Sequence, residues 1–275
     1  MIPEVSNILC RYHKMHYMPT KSGWSRDQLL IAFYLYCRMP FGKMHRGNPE
    51  IVDFAALIGR TPSALAMKLT NIASLDPVIT DSGRKGLTGA SSSDRAMWEE
   101  MQADWEKFAL ETQTACDSLM HTDKDASVTK NDDEVELSNY AGVSRIASTM
   151  VRIGQSFFRN AVLSAYHSRC CITGLSIPKL LIASHIVPWS VDTANRLNPH
   201  NGLCLSMLHD KAFDIGIICL TDNLTVRVSK KYKSNTDPFF GNTLLAYDGK
   251  SINVPEKFRP NPAFLAYHRE HIFER

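Results

Sequence analysis

Apolar positions first fall into a helical rhythm at Leu29, Ala32, Phe33 and Tyr36. Ser25 and Gln28 precede them as the S-x-x-Q of a capping box, and Trp24 stands where a hydrophobic staple to Leu29 would begin. Pro40 and Gly42 stop this helix near Arg38. A second helix is announced by Asn48 as cap, Pro49 in the first turn and Glu50 at the positive end of the dipole. Ile51, Phe54, Ala55 and Ile58 form its apolar face, and Gly59 supplies the left-handed residue that ends it. Thr61 then caps a third helix, with Pro62 in its first turn and Leu65, Leu69 and Ile72 as its face. Two short capped helices around Gly59–Arg60 read as a helix-turn-helix. Its second helix would turn Arg60, Thr61, Ser63, Lys68 and Asn71 outward, toward nucleic acid. Helical bundles that never touch DNA contain the same turn, so the motif leaves that contact open.

The pattern then loosens. Residues 82–95, SGRKGLTGASSSDR, are rich in Gly and Ser and read as a loop. Met97, Trp98, Met101, Trp105 and Phe108 mark one long amphipathic helix. Residues 121–140 are polar and acidic and read as a tether. Beyond it, Arg152, Gln155 and Arg159 sit on a helix expected to end near Tyr166. Short strand-like runs follow: CCITG, LLIASHIVP, GLCLS, and IICL with LTVRVS around a Thr221–Asn223 turn. Asn261 and Pro262 open a terminal helix. Helices first and short strands later predict an α+β chain: a helical domain over 1–80, a long helix and acidic linker over 81–140, and a second domain over 141–275.

Composition adds exclusions. No stretch approaches 18 consecutive apolar residues, so no transmembrane helix is expected. The start, MIPEVSNILCRYHKMHYMPT, lacks a basic flank followed by an apolar run, which predicts no signal peptide. Seven cysteines, odd in number and scattered, fit a reducing cytoplasm better than a disulfide scaffold. The net charge of +3 conceals a division. Residues 1–80 carry +4 (9 basic, 5 acidic), residues 81–140 carry −8 (6 and 14), and residues 141–275 carry +7 (16 and 9). Two basic blocks around an acidic middle suggest a polyanionic partner, double-stranded DNA in particular, with Arg60, Thr61, Ser63, Lys68, Arg152 and Arg159 as candidate contacts.

The chemistry concentrates in ASHIVPW, NRLNPHNGLCL and LHDKAFDIG. These place His185 at a strand end, Asn201 in the loop beyond, and His209 on a following helix. In this order the segment resembles the HNH endonucleases, above all bacterial restriction-type members with a C-terminal ββα-metal domain; the resemblance covers about residues 145–275. It implies a hairpin and a helix gripping one divalent metal, Mg²⁺ first, with Mn²⁺ or another ion as alternatives. His185 would be the general base and His209 a metal ligand. Asn201 would either bind the metal or brace the loop that aims His185. Ser184 stands where many members place an Asp or His ligand, so Asp210 or Asp214 would compensate, Asp214 being favoured by its place in F-D-x-G. The C-x-x-C pairs that hold structural zinc in some relatives are incomplete, so Cys170, Cys171, Cys204 and Cys219 are expected as buried apolar residues. The resulting expectation is a cytoplasmic, metal-dependent DNA endonuclease of restriction or defence. A double-strand break would require a homodimer or two successive nicks. The rivals are a nuclease-derived DNA-binding protein without catalysis, which Ser184 keeps open, and a nuclease acting on RNA.

Overall fold

The computed structural model describes residues 23–83, 89–121 and 154–275. Arg152, the acidic tether over 122–140 and part of the Gly/Ser-rich loop lie outside the described residues. The chain is α+β, with helices throughout and two small antiparallel hairpins in its C-terminal part.

Helix α1 (Arg26–Arg38) starts at the expected capping box, with the Ser25 and Gln28 side chains each accepting from the other's backbone. Every residue from Leu29 to Cys37 is buried, so the expected single apolar face becomes a helix enclosed on all sides. Helices α2 (Pro49–Leu57) and α3 (Pro62–Ala73) begin at their Asn48 and Thr61 caps. Between them Gly59 adopts φ +66°, the left-handed conformation that terminates α2. A short α4 (Pro77–Asp81) follows, capped by Asp76, which also accepts from the buried Tyr36 hydroxyl.

The outward-facing basic pair of α3 is corrected. Lys68 is only 6% exposed and its ammonium lies 2.7 Å from the carboxylate of Asp94, itself fully buried. Arg60 is 8% exposed and donates to Gly23 O and Gln28 Oε1. Both cations stand 4.9 Å from the Trp24 ring, which also packs against the apolar core. Thr61 and Ser63 do reach the surface.

The long amphipathic helix is also corrected: it is two. Helix α5 (Ser92–Ala103) begins inside the expected loop, at a reciprocal capping box between Ser91 and Asp94. Helix α6 (Trp105–His121) restarts after Asp104, whose Oδ1 accepts from Lys107 N at 2.9 Å.

In the C-terminal part, α7 spans 154–165. Strands β1 (Leu181–His185) and β2 (Gly202–Ser206) pair antiparallel, with His185 opposite Gly202. Helix α8 (Met207–Asp214) leaves β2 directly, capped by Ser206. A second hairpin, β3 (Ile218–Leu220) and β4 (Val226–Val228), a short α9 (Pro238–Thr243) and α10 (Pro262–His271) complete the chain. The CCITG run is a turn rather than a strand, fixed where Cys171 N donates to Cys204 O at 2.7 Å. Cys170, Cys171, Cys204 and Cys219 are buried thiols.

One side chain joins the two parts. Lys257 is fully buried, and its ammonium donates to Tyr36 O, to Cys37 O at 3.2 Å, to Met39 O at 2.9 Å and to Ser164 Oγ at 3.4 Å. Three of these acceptors are the carbonyls that end α1 and find no partner within the helix. Burial pulls the ammonium's pKa down to about 8.

Two outcomes follow from these buried groups. Lys68→Ala leaves Asp94 charged and unpaired in the interior, so chemical denaturation should show a loss of about 3–5 kcal/mol; an unchanged midpoint would place Lys68 outside the core. His268 stacks on Phe213 at 3.6 Å and bonds Phe213 O through Nε2, and burial lowers its pKa to about 4. Its ordinary value is 6.5, so between 6.5 and 4 the unfolded chain binds the proton that the folded one refuses. That stability is complete above pH 6.5 and is lost as pH falls toward 4. Thermal melts of His268→Phe should therefore lose less stability over that window than the parent, by up to about 1.4 kcal/mol per pH unit.

Candidate active site

The site is built where α7 crosses the end of the β1–β2 hairpin. A Cβ on Gly202 would lie 2.4 Å from Val162 Cγ2 and 3.0 Å from Phe158 Cζ, so only glycine lets α7 approach this closely. Phe158 then stacks flat on the His185 ring, with centroids 4.0 Å apart and planes 8° from parallel. Trp189 meets the imidazole edge-on at 5.5 Å.

His185 Nε2 lies 2.9 Å from Arg196 O. A carbonyl oxygen only accepts, so Nε2 carries the proton and Nδ1 keeps its lone pair. Burial lowers the pKa of the ring, opposed by the Arg196 carbonyl and the negative charge of Asp210. The histidine is thus held neutral, in one tautomer and one orientation, which is what a proton acceptor needs.

The carbonyl that fixes His185 is itself fixed. Arg196 Nε donates to Trp189 O at 2.9 Å, and its guanidinium covers the Trp189 ring at 5.2 Å. Asn201, 1% exposed, ties the ends of the loop together. Its Oδ1 accepts from Val187 N at 2.8 Å, and its Nδ2 donates to Val187 O at 3.1 Å and Asn195 O at 3.3 Å. Its side-chain amide is thus spent on the backbone of the loop between Val187 and Asn195.

The expected metal ligand on α8 is corrected. His209 is 3% exposed, with Nδ1 2.8 Å from Ser206 Oγ and Nε2 2.9 Å from Thr243 O. Both ring nitrogens are engaged, so neither faces an ion. Arg159, a candidate nucleic-acid contact, donates instead to Leu181 O at 2.9 Å and Pro178 O at 3.2 Å, holding the entry to β1.

Asp210 is the carboxylate that answers to His185. It is half-buried, and burial raises its pKa against the pull of Ser184, Lys211 and His185. Asp214, one turn on, reaches solvent, yet its pKa is raised too, first by the protein bulk around it and then by the like charge of Asp210. Ser184 Oγ, 2% exposed, comes close enough to Asp210 to favour the charged form without completing a hydrogen bond. Asp210 follows His209 directly in the sequence, and its i,i+4 spacing to Asp214 was the available signal for a two-carboxylate face.

Among the described residues, no group of three or more His, Cys, Asp or Glu side chains is gathered to hold a metal. The residues present fit a sparse site for a hard cation. Burial raises the cost of ionising both carboxylates, the charge of Asp210 adds to that of Asp214, and an orphaned hydroxyl lies beside Asp210. Mg²⁺ is commonly held this way, by one or two carboxylates with water and phosphate oxygens completing its shell.

An antiparallel hairpin, a crossover loop and a helix returning along the pair form a ββα unit. Residues 170–221 match the family model described as HNH endonuclease, which supports an HNH endonuclease assignment for that segment and nuclease as its general class of activity. No curated protein matches the chain. No helix among the described residues is long and apolar enough to cross a membrane.

If His209 is a structural residue, His209→Ala should lower the thermal midpoint through about 1–3 kcal/mol of lost and unsatisfied hydrogen bonding. Excess Mn²⁺ should not raise it again. A variant with parent-like stability and metal-rescued activity would return His209 to the metal.

Proposed function

We propose that this protein is a metal-dependent endonuclease that hydrolyses phosphodiester bonds in DNA. The observation that carries the reading is His185. Its Nε2–H is pinned on Arg196 O and its Nδ1 is left as a base, beside the Asp210 and Asp214 face of α8. Nδ1 takes a proton from the attacking water as its oxygen bonds to phosphorus and the opposite P–O bond breaks. The departing oxygen is protonated from solvent. Asp210 and Asp214 would hold the cation, with Ser184 Oγ beside Asp210. When bound, a divalent metal, Mg²⁺ by the oxygen-rich donor set, supplies Lewis-acid stabilisation of the developing charge. Asn201 acts through the loop as a positioning residue.

The surplus of basic residues in 141–275 supports a polyanionic substrate. Restriction or defence against foreign DNA rests on the resemblance. Supercoiled plasmid and transfer RNA, incubated in parallel with Mg²⁺, Mn²⁺ or EDTA, test the reading. Plasmid should be cut, and cutting should cease in EDTA. His185→Ala should lower the rate by about 10²–10⁴-fold with the fold intact. Asp210→Asn should shift the metal concentration needed for half-maximal cutting upward. Parent-rate cleavage by His185→Ala would overturn the assignment, and selective digestion of the RNA would change the substrate.

A further inference from the structure

With Lys68 and Arg60 bonded internally, the helix-turn-helix no longer offers the charges expected to meet nucleic acid, and Arg159 of α7 is likewise engaged. A different surface does. Phe239, on α9, is 65% exposed, more than any other large apolar side chain among the described residues. Leaving a phenylalanine in water forgoes roughly 1.5–3 kcal/mol of burial. Its backbone is nevertheless tightly held. Asp237 caps α9 by accepting from Phe240 N at 2.9 Å, the Phe240 ring packs on Tyr232 at 6.0 Å, and Thr243 Oγ1 reaches back to Phe239 O at 2.6 Å. Phe239 is thus a fixed aromatic face presented to solvent.

Beside it in sequence and through Tyr232 in space lies VRVSKKYK, residues 226–233, with four basic residues and no acidic one. Lys230 is exposed and forms no ion pair among the described residues. Lys231 and Lys233 pair with Glu274 at 3.5 Å and Asp248 at 2.7 Å. Pairs this exposed contribute little and exchange readily for phosphate. The patch is tied to the catalytic helix, because His209 of α8 donates to Thr243 O at the end of α9.

We propose that this patch binds unstacked nucleic acid, with a base stacked on Phe239 and neighbouring phosphates on Lys230, Lys231 and Lys233. The proposal rests on the nuclease reading and makes its substrate a strand that is single or locally opened. Aromatic faces among lysines are the chemistry of single-strand recognition, whereas lysine is depleted from the cores of protein interfaces. His209 then has a role that metal binding did not supply: it sets α9, and with it the stacked base, against the helix bearing Asp210.

The test uses the full chain carrying His185→Ala, which binds without cutting. Its partners are a labelled single strand, the matched duplex, and both with one 2-aminopurine. Phe239→Ala should weaken single-strand binding about tenfold, since one stacked base contributes about 1–3 kcal/mol. It should leave the melting temperature unchanged and abolish the 2-aminopurine response. Phe239→Trp should restore both, and Lys230→Ala should reduce the salt dependence on single strands by about 0.7 in log–log slope. Parent-like single-strand affinity in Phe239→Ala would overturn the proposal, as would Phe239-dependent binding to phosphatidylserine vesicles with none to DNA. A parent chain that cuts nothing while the Phe239 effects persist would remove the nuclease reading and leave the surface standing. Cleavage without any Phe239 effect would do the reverse.

Discussion

A single ammonium, that of Lys257, sits where the helical part and the nuclease part of the chain meet. It answers a problem common to buried helix ends, since the last carbonyls of α1 point into protein with no amide of their own to accept from. A cation also suits the negative pole of the helix dipole. Hydrogen bonds to a charged group are worth about 1.5–3 kcal/mol each, against several for desolvating it, so the arrangement is stable only with every acceptor in place. The next residue, Phe258, packs against Tyr36 and Trp105 and adopts φ +53°, a strained turn that commits the strap to this seat. The strap carries on to Asn261, whose amide donates to His200 O beside the site loop at 3.0 Å. The core of one part is therefore continuous with the scaffold of the other.

The site follows the same logic at smaller scale. Each group that fixes His185 is fixed in turn: Phe158 by the close approach of α7 to Gly202, the Arg196 carbonyl by Trp189, and the loop by Asn201. Nδ1 is the ring nitrogen these contacts leave over. Rigidity here comes from interior packing and from hydrogen bonds with little water access, which keeps the imidazole in one orientation.

What could be read in the sequence was local. Caps at Ser25, Asn48, Thr61 and Asn261, the left-handed Gly59 and the hairpin–helix order around His185 depend on neighbours in the chain, and they were legible there. What could not be read depended on partners far away. Lys68 looked like a surface cation because its spacing on α3 could not reveal Asp94, which lay in an apparent loop. Had the S-x-x-D at Ser91 been taken as a cap, both α5 and the buried ion pair would have come within reach. His209 looked like a ligand because Thr243 O, which occupies its second nitrogen, arrives from 34 residues away. Asp104 divided a helix whose apolar rhythm ran on undisturbed, since a cap interrupts hydrogen bonding without changing the face.

Asn201 and Gly202 form the dipeptide most prone to spontaneous ageing. The glycine nitrogen can attack the asparagine side-chain carbonyl, expelling ammonia, and the resulting imide opens to aspartate or isoaspartate. In the folded chain that attack is blocked from both sides. Gly202 N–H is directed at Pro199 O, and the Asn201 amide is held at its oxygen and its nitrogen. Once deamidated, the side chain would present an anion to the Val187 and Asn195 carbonyls in place of a donor. Deamidation at this step is therefore open chiefly to molecules that have unfolded, and it would remove the donor that ties the loop beside His185. The contact that ties the loop also keeps time for the chain, separating molecules that have stayed folded from those that have not.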